Sequence, residues 1–128
     1  MTERLTFVPA TRAVIEAISP VDGVTVFSRP QNPRPSEQVV IRRVGGTARD
    51  LVTDAPLFTV EAWAQDDERA ERLCNLARFA LHSLPRSSSL GVPFYTVVEI
   101  AGPAFLPDPE TDLPRYSCTV QVALRGAE

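Results

Sequence analysis

The stretch Leu57–Leu84, LFTVEAWAQDDERAERLCNLARFALHSL, constrains this chain most, because a strand period, a helix cap and a helix period follow one another without a break. From Leu57 to Ala64 the residues alternate, with Phe58, Val60, Ala62 and Ala64 on one face and Leu57, Thr59, Glu61 and Trp63 on the other. This is the pattern of a half-buried strand. Asp66 then stands at the N-cap position, where its carboxylate accepts from orphan amides, and Asp67 and Glu68 place negative charge on the positive end of the helix dipole. At about 100° per residue, Ala70, Leu73, Cys74, Leu76, Ala77, Ala80, Leu81 and Leu84 form one apolar arc opposite Glu68, Glu71, Asn75, Arg78 and His82. A helix of this kind lays one face on a sheet.

The flanking segments extend the pattern. Pro9 to Ile18 reads as a short helix with Ala10, Val14, Ala17 and Ile18 as its apolar stripe and Pro9 in its first turn, stopped by Pro20 and Gly23. Val24 to Ser28 reads as a short strand. The three prolines of Arg29–Pro35 remove amide donors and make that segment a loop or an edge. Glu37 to Val44 resumes a strand, with Val39 and Ile41 opposed to Val40, Arg42 and Val44, and Gly45-Gly46 is expected to turn the chain. Thr47 to Pro56 connects it to the strand at Leu57.

Pro85 to Gly91, PRSSSLG, has the composition of a mobile surface loop. Phe94 to Ala101 reads as a strand with Phe94, Thr96, Val98 and Ile100 on one face and Tyr95, Val97 and Glu99 on the other. Gly102 to Pro114, rich in proline and acids, is a long irregular loop and invites a binding role. Arg115 to Arg125 closes with the cleanest alternation: Tyr116, Cys118, Val120, Val122 and Leu124 against Ser117, Thr119, Gln121 and Ala123. That strand is expected to be central or well covered. The sum is an α+β fold, an antiparallel or mixed sheet of about five strands with two helices on one face, in the order α-β-β-β-α-β-β. Short links favour an antiparallel meander.

The 128 residues fit one domain, 1–128. There is no apolar run of about 18 residues, and MTERLTFVPATR lacks the basic-then-apolar build of a signal peptide, so a protein that stays inside the cell is expected, with no membrane partner. Cys74 and Cys118 fall on apolar faces without C-x-x-C spacing and read as buried free thiols. The net charge of −3 argues against a dedicated nucleic-acid binder. Every basic residue is Arg, a planar fork suited to carboxylate pairing at interfaces.

Chemistry-bearing motifs are missing: no Gly-rich phosphate loop, no metal-spaced His and Cys cluster, no G-x-S-x-G. No cofactor or metal is expected, and an enzyme is not. His82, the one histidine, lies on the polar helix face and reads as solvated. Asp66 with Asp67 is a conceivable divalent-cation pair, yet capping explains both residues. Ser87, Ser88 and Ser89 have no base nearby in sequence and read as a linker.

Two features exceed this bland level. Phe79 lies about 80° beyond the near edge of the apolar arc. Trp63 sits on the strand face opposite Phe58, Val60 and Ala62. A sheet with helices on one side leaves its other face, here with Leu57, Thr59 and Trp63, to be covered by a partner subunit. The competing outcome is that Arg29–Pro35 or Gly102–Pro114 folds over it. Arg42 and Arg43 either pair with acids of a neighbour or are solvated strand charges.

The order of elements and the strings ATRAVIEAI, VVIRRVGG, PLFTVEAWAQDDERAERLCNLAR and RYSCTVQVAL resemble the tail terminator proteins of long-tailed, siphovirus-type phages, particularly those of actinobacterial hosts. The similarity covers most of the chain and lies in overall pattern; none of the strings is a catalytic motif. The resemblance implies a structural virion protein that assembles as a ring, usually a homo-hexamer, on the major tail tube protein at the head-proximal end of the tail. It would form in the host cytoplasm, stop tube polymerisation and offer a surface to a head-completion or connector protein. DNA would pass through the lumen without specific binding. The family has no invariant functional string to carry over, so the candidate subunit interface is Arg42, Arg43, Trp63 and Phe79, with the two Pro-rich loops as contacts along the tail axis. A head-tail connector or other minor tail protein is the near alternative. A small-ligand-binding regulatory module with Gly102–Pro114 as a lid is the alternative of another class.

Overall fold

Strand, cap and helix follow one another around Asp66 as the sequence reads, although the strand begins at Thr53 and the strand before it runs to Ala48, both inside the segment Thr47–Pro56 expected as a connection. In a computed structural model, which describes residues 6–127, the elements are α1 (Ala10–Ile18), β1 (Val26–Phe27), β2 (Gln38–Ala48), β3 (Thr53–Trp63), α2 (Asp67–His82), β4 (Ser88–Ser89), β5 (Val92–Phe105) and β6 (Arg115–Arg125). The first five residues of the stretch read for a signal peptide lie outside the described residues. The Asp66 carboxylate accepts the Arg69 amide at 2.8 Å and so starts α2. At the other end the Ser83 backbone N–H donates to the Phe79 and Ala80 carbonyls. Ala70, Leu73, Cys74, Ala77 and Leu81 are buried, but Leu76, expected on the same arc, is exposed. In α1, Pro9 takes the N-cap position rather than the first turn, and Ala13 replaces Ala17 among the buried residues.

The strands form one six-stranded mixed sheet in the order β1-β2-β3-β6-β5-β4. Two helices and the apolar alternation of the sheet enclose a single core, with Val14, Ile41, Phe58, Val60, Leu73, Leu81, Phe94, Val120, Val122 and Leu124 at its centre. Each such side chain stabilises the fold by about 1.5–3 kcal/mol through burial. β6 lies between β3 and β5, as its alternation requires. Cys74 on α2 and Cys118 on β6 are buried free thiols, and the neighbouring Cys118 together with burial pushes the Cys74 thiol up.

Five further expectations are corrected. First, the meander is incomplete: β1 runs parallel to β2, with Val26 opposite Val39 and Phe27 opposite Val40, because segment 28–37 returns the chain before β2 begins. Second, Gly45-Gly46 is a bulge inside β2 and not the turn. The register shifts between Arg43 and Gly45, and Gly46 sits at φ +89° so close to β3 that a Cβ would lie 2.3 Å from the Ala55 carbonyl oxygen. The chain reverses instead at Arg49–Val52, where the Asp50 carboxylate accepts the Val52 and Thr53 amides at 2.9 and 2.8 Å.

Third, the serine run is not wholly a loop, since Ser88–Ser89 pairs with Val92–Pro93 and raises the strand count above five. Fourth, a bulge between Phe94 and Thr96 reverses the alternation of β5. Phe94 joins the core and Val97 packs against it, while Val98 and Ile100 turn out to solvent. Fifth, the expected loop from Gly102 gives its first residues to β5, which leaves 106–114 irregular.

Candidate assembly surfaces

Period-two alternation sends Gln38, Val40 and Arg42 of β2 and Thr59, Glu61 and Trp63 of β3 to the face away from the helices. At the Trp63 end this face is closed by the chain itself. Segment 106–114 turns tightly, with the Asp108 amide donating to Leu113 O at 3.0 Å and the Asp112 amide to Asp108 O at 2.7 Å. The turn aims the Asp108 carboxylate inward, where Oδ2 accepts from Trp63 Nε1 at 2.7 Å and from Arg34 Nε at 3.0 Å. Arg34 reaches it from the other Pro-rich loop and also donates to Gln31 O at 3.0 Å and to Glu110 at 3.0 Å.

Burial opposes the charge on Asp108, which is 2% exposed. The Glu110 amide, the Arg34 guanidinium and the Trp63 indole outweigh it and hold the carboxyl well below the usual carboxylate range. Arg115 completes the cover. Its guanidinium lies over the Trp63 ring at 5.4 Å, donates to Leu106 O at 2.7 Å, and pairs with the buried Glu61 at 3.1 Å. Gln38, buried beside this cluster, accepts the Gln31 amide at 3.1 Å.

Trp63, expected on an open face, is therefore 1% exposed, and the cover is the chain's own loops rather than a second subunit. The indole N–H explains why: a buried donor needs an acceptor, and Asp108 supplies it. The loop expected as a ligand lid is likewise tied to the sheet. Arg42 shares Glu61 with Arg115, at 2.5 Å, and keeps 48% of its side chain exposed. Arg43 binds Asp54 with both terminal nitrogens, at 2.9 and 3.1 Å, and donates to Gly45 O, which braces the bulge. Both arginines thus have acid partners on β3 of the same chain.

Phe79 lies where its helical phase places it, on the outer face of α2, and is 73% exposed. With Leu76, Asn75, Arg72, Glu71 and Glu68 it lines a shallow depression. Farther along the helix Arg78 grips Glu99 of β5 and holds that carboxyl below its ordinary value, and His82 stands 3.8 Å from the same group. Leu51 is 79% exposed at the apex of the β2–β3 hairpin. Val98 and Ile100 are exposed on β5, whose outer edge is unpaired beyond Phe94 among the described residues.

The four sequence candidates do not converge on one site. Arg42 and Trp63 meet through Glu61 and Arg115, whereas Arg43 and Phe79 stand apart from them and from each other. The clamp residues Arg34, Glu61, Asp108 and Arg115 escape a sequence reading, although an aspartate between two prolines, Pro107-Asp108-Pro109, marks a fixed carboxylate. Leu51 follows an Asp in a connecting segment, the composition of a hairpin apex. Among the described residues no three His, Cys, Asp or Glu side chains are set to hold a metal, and no helix is long and apolar enough to cross a membrane. No protein-family model matches the chain, and no curated protein matches it.

Proposed function

We propose that the chain is a ring-forming tail terminator of a long-tailed phage, a structural subunit that caps the tail tube and presents a surface for head joining. One observation carries the self-assembling part of this reading. The core is complete within the chain, yet large apolar side chains stand exposed on several surfaces, among them Leu51 on the hairpin apex, Phe79 on α2, Val98 with Ile100 on β5, and Leu106 after it. A ring subunit needs such separate surfaces, because each copy meets two ring neighbours through different patches and other proteins along the axis. The phage assignment rests on the resemblance in element order and strings.

The clamp adds a mechanical element to the same reading. Arg34, Asp108 and Trp63 lock the two Pro-rich loops to one end of the sheet, so exposed Leu106 and Glu110 form a stiff surface suited to a contact along the tail axis. Stiffness favours binding because little conformational freedom is lost on docking. Native mass spectrometry and negative-stain imaging of the protein, alone and mixed with tail tube subunits, test the proposal. Closed rings seated on tube ends are expected. A protein that stays monomeric at every concentration and never joins a tube end would sink it.

A further inference from the structure

Leu51 and Phe79 are the two most exposed large apolar side chains among the described residues, and they lie on unrelated parts of the chain. We propose that the hairpin apex of one copy seats on the outer face of α2 of the next copy, with Leu51 against Leu76 and Phe79 and with Arg49 facing Glu71. This names the contact that would build the ring and rests on the ring reading above.

Three features fit the two patches to each other. The apex is preorganised: Asp50 accepts the Val52 and Thr53 amides, and the Arg49 amide donates to Thr53 O at 2.9 Å, so Leu51 projects from a fixed turn. The depression on α2 offers an apolar floor, Leu76 and Phe79, rimmed by Glu68, Glu71, Arg72 and Asn75. The charges are complementary. Arg49 is exposed and pairs with no acid among the described residues, and Glu71 is exposed and pairs with no base among them, while Glu68 is engaged by Arg72 at 3.4 Å. Because the apex and the helix are different surfaces, the contact is head-to-tail: every copy gives its apex to one neighbour and its helix to the other. Such a contact closes into a ring when its rotation closes.

The test is covalent capture in the full chain. Cys74 and Cys118 are buried, so cysteines placed by Leu51→Cys and Phe79→Cys are the accessible thiols. With a short bismaleimide, the doubly substituted chain is expected to give a ladder of covalent multimers. Mixing the two singly substituted chains is expected to give a heterodimer beyond what either forms alone. A ladder supports the contact. A product that stops at dimer points to a two-fold contact, and the absence of any product above the single-substitution controls removes the contact; either result overturns the proposal.

Arg49→Glu and Glu71→Arg should each weaken association by about tenfold, and the two together should restore it. Failure of the pair to restore it, with each chain folded by circular dichroism, also counts against the contact. If wild-type rings form on tube ends while no ladder appears, the ring reading stands and this contact falls. If the wild type neither assembles nor joins tube ends, both fall.

Discussion

Trp63 and Phe79 carry the same signal in the sequence, an aromatic pointing away from its own element's core, and they meet opposite fates. Trp63 is enclosed by two loops far away in the chain and hydrogen-bonded to Asp108, whereas Phe79 remains open. The difference lies in what each side chain offers a distant loop. The indole has an N–H that fixes a buried carboxylate and a face that attracts Arg115, so closing over it is favourable. The phenyl ring of Phe79 has no polar handle, and the outer surface of α2 beside it holds Glu71, Arg72 and Asn75, which remain solvated. An outward aromatic is a candidate docking residue only when no remote segment reaches it.

That contrast can be broken by substitution. Trp63→Ala removes a buried ring and takes the indole donor from Asp108, and a loss of about 4 kcal/mol in urea unfolding is expected. Asp108→Ala leaves the buried indole N–H without its acceptor and takes one of the carboxylates from Arg34, for a loss of about 3 kcal/mol. The smallest effect belongs to the other region, where Phe79→Arg should change stability by no more than about 0.5 kcal/mol. Comparable losses at Trp63 and Phe79 would erase the distinction between them.

The same region has a pH signature. Folding lowers the pKa of Asp108, so its stabilisation is present above the unfolded-chain value of about 4 and is lost as pH falls below that value through the folded one. The stability gap between wild type and Asp108→Asn should hold constant from neutral pH down to about 5 and then shrink in acid. A gap that widens on acidification would show that Asp108 is not held as a carboxylate.

What the sequence made legible is local. Asp66 as a cap, the arc through Leu73, Ala77 and Leu81, and the alternation of Cys118 to Leu124 each depend on neighbours within a turn or two, and each formed as read. Several of the misreadings share one cause, a partner remote in sequence. Gly45-Gly46 looks like a turn until Ala55 of β3 is seen to need the space beside Gly46. The faces of β5 invert at a bulge that is set by its pairing with Leu124 and Ala123 of β6. Arg42 and Arg43 read as contacts to a neighbour's acids or as solvated charges because Glu61 and Asp54 are opposed only once β2 lies beside β3. Of the candidate surface, Phe79 was legible from helical phase, whereas Leu51 required the location of the hairpin apex.

Sedimentation velocity of wild type and Phe79→Arg, run in parallel with their thermal unfolding, tests the central claim most directly. The account expects wild type to form rings and Phe79→Arg to stay monomeric with an unchanged melting midpoint. A wild type that is monomeric at all concentrations, or a Phe79→Arg chain that forms the same rings, would contradict it.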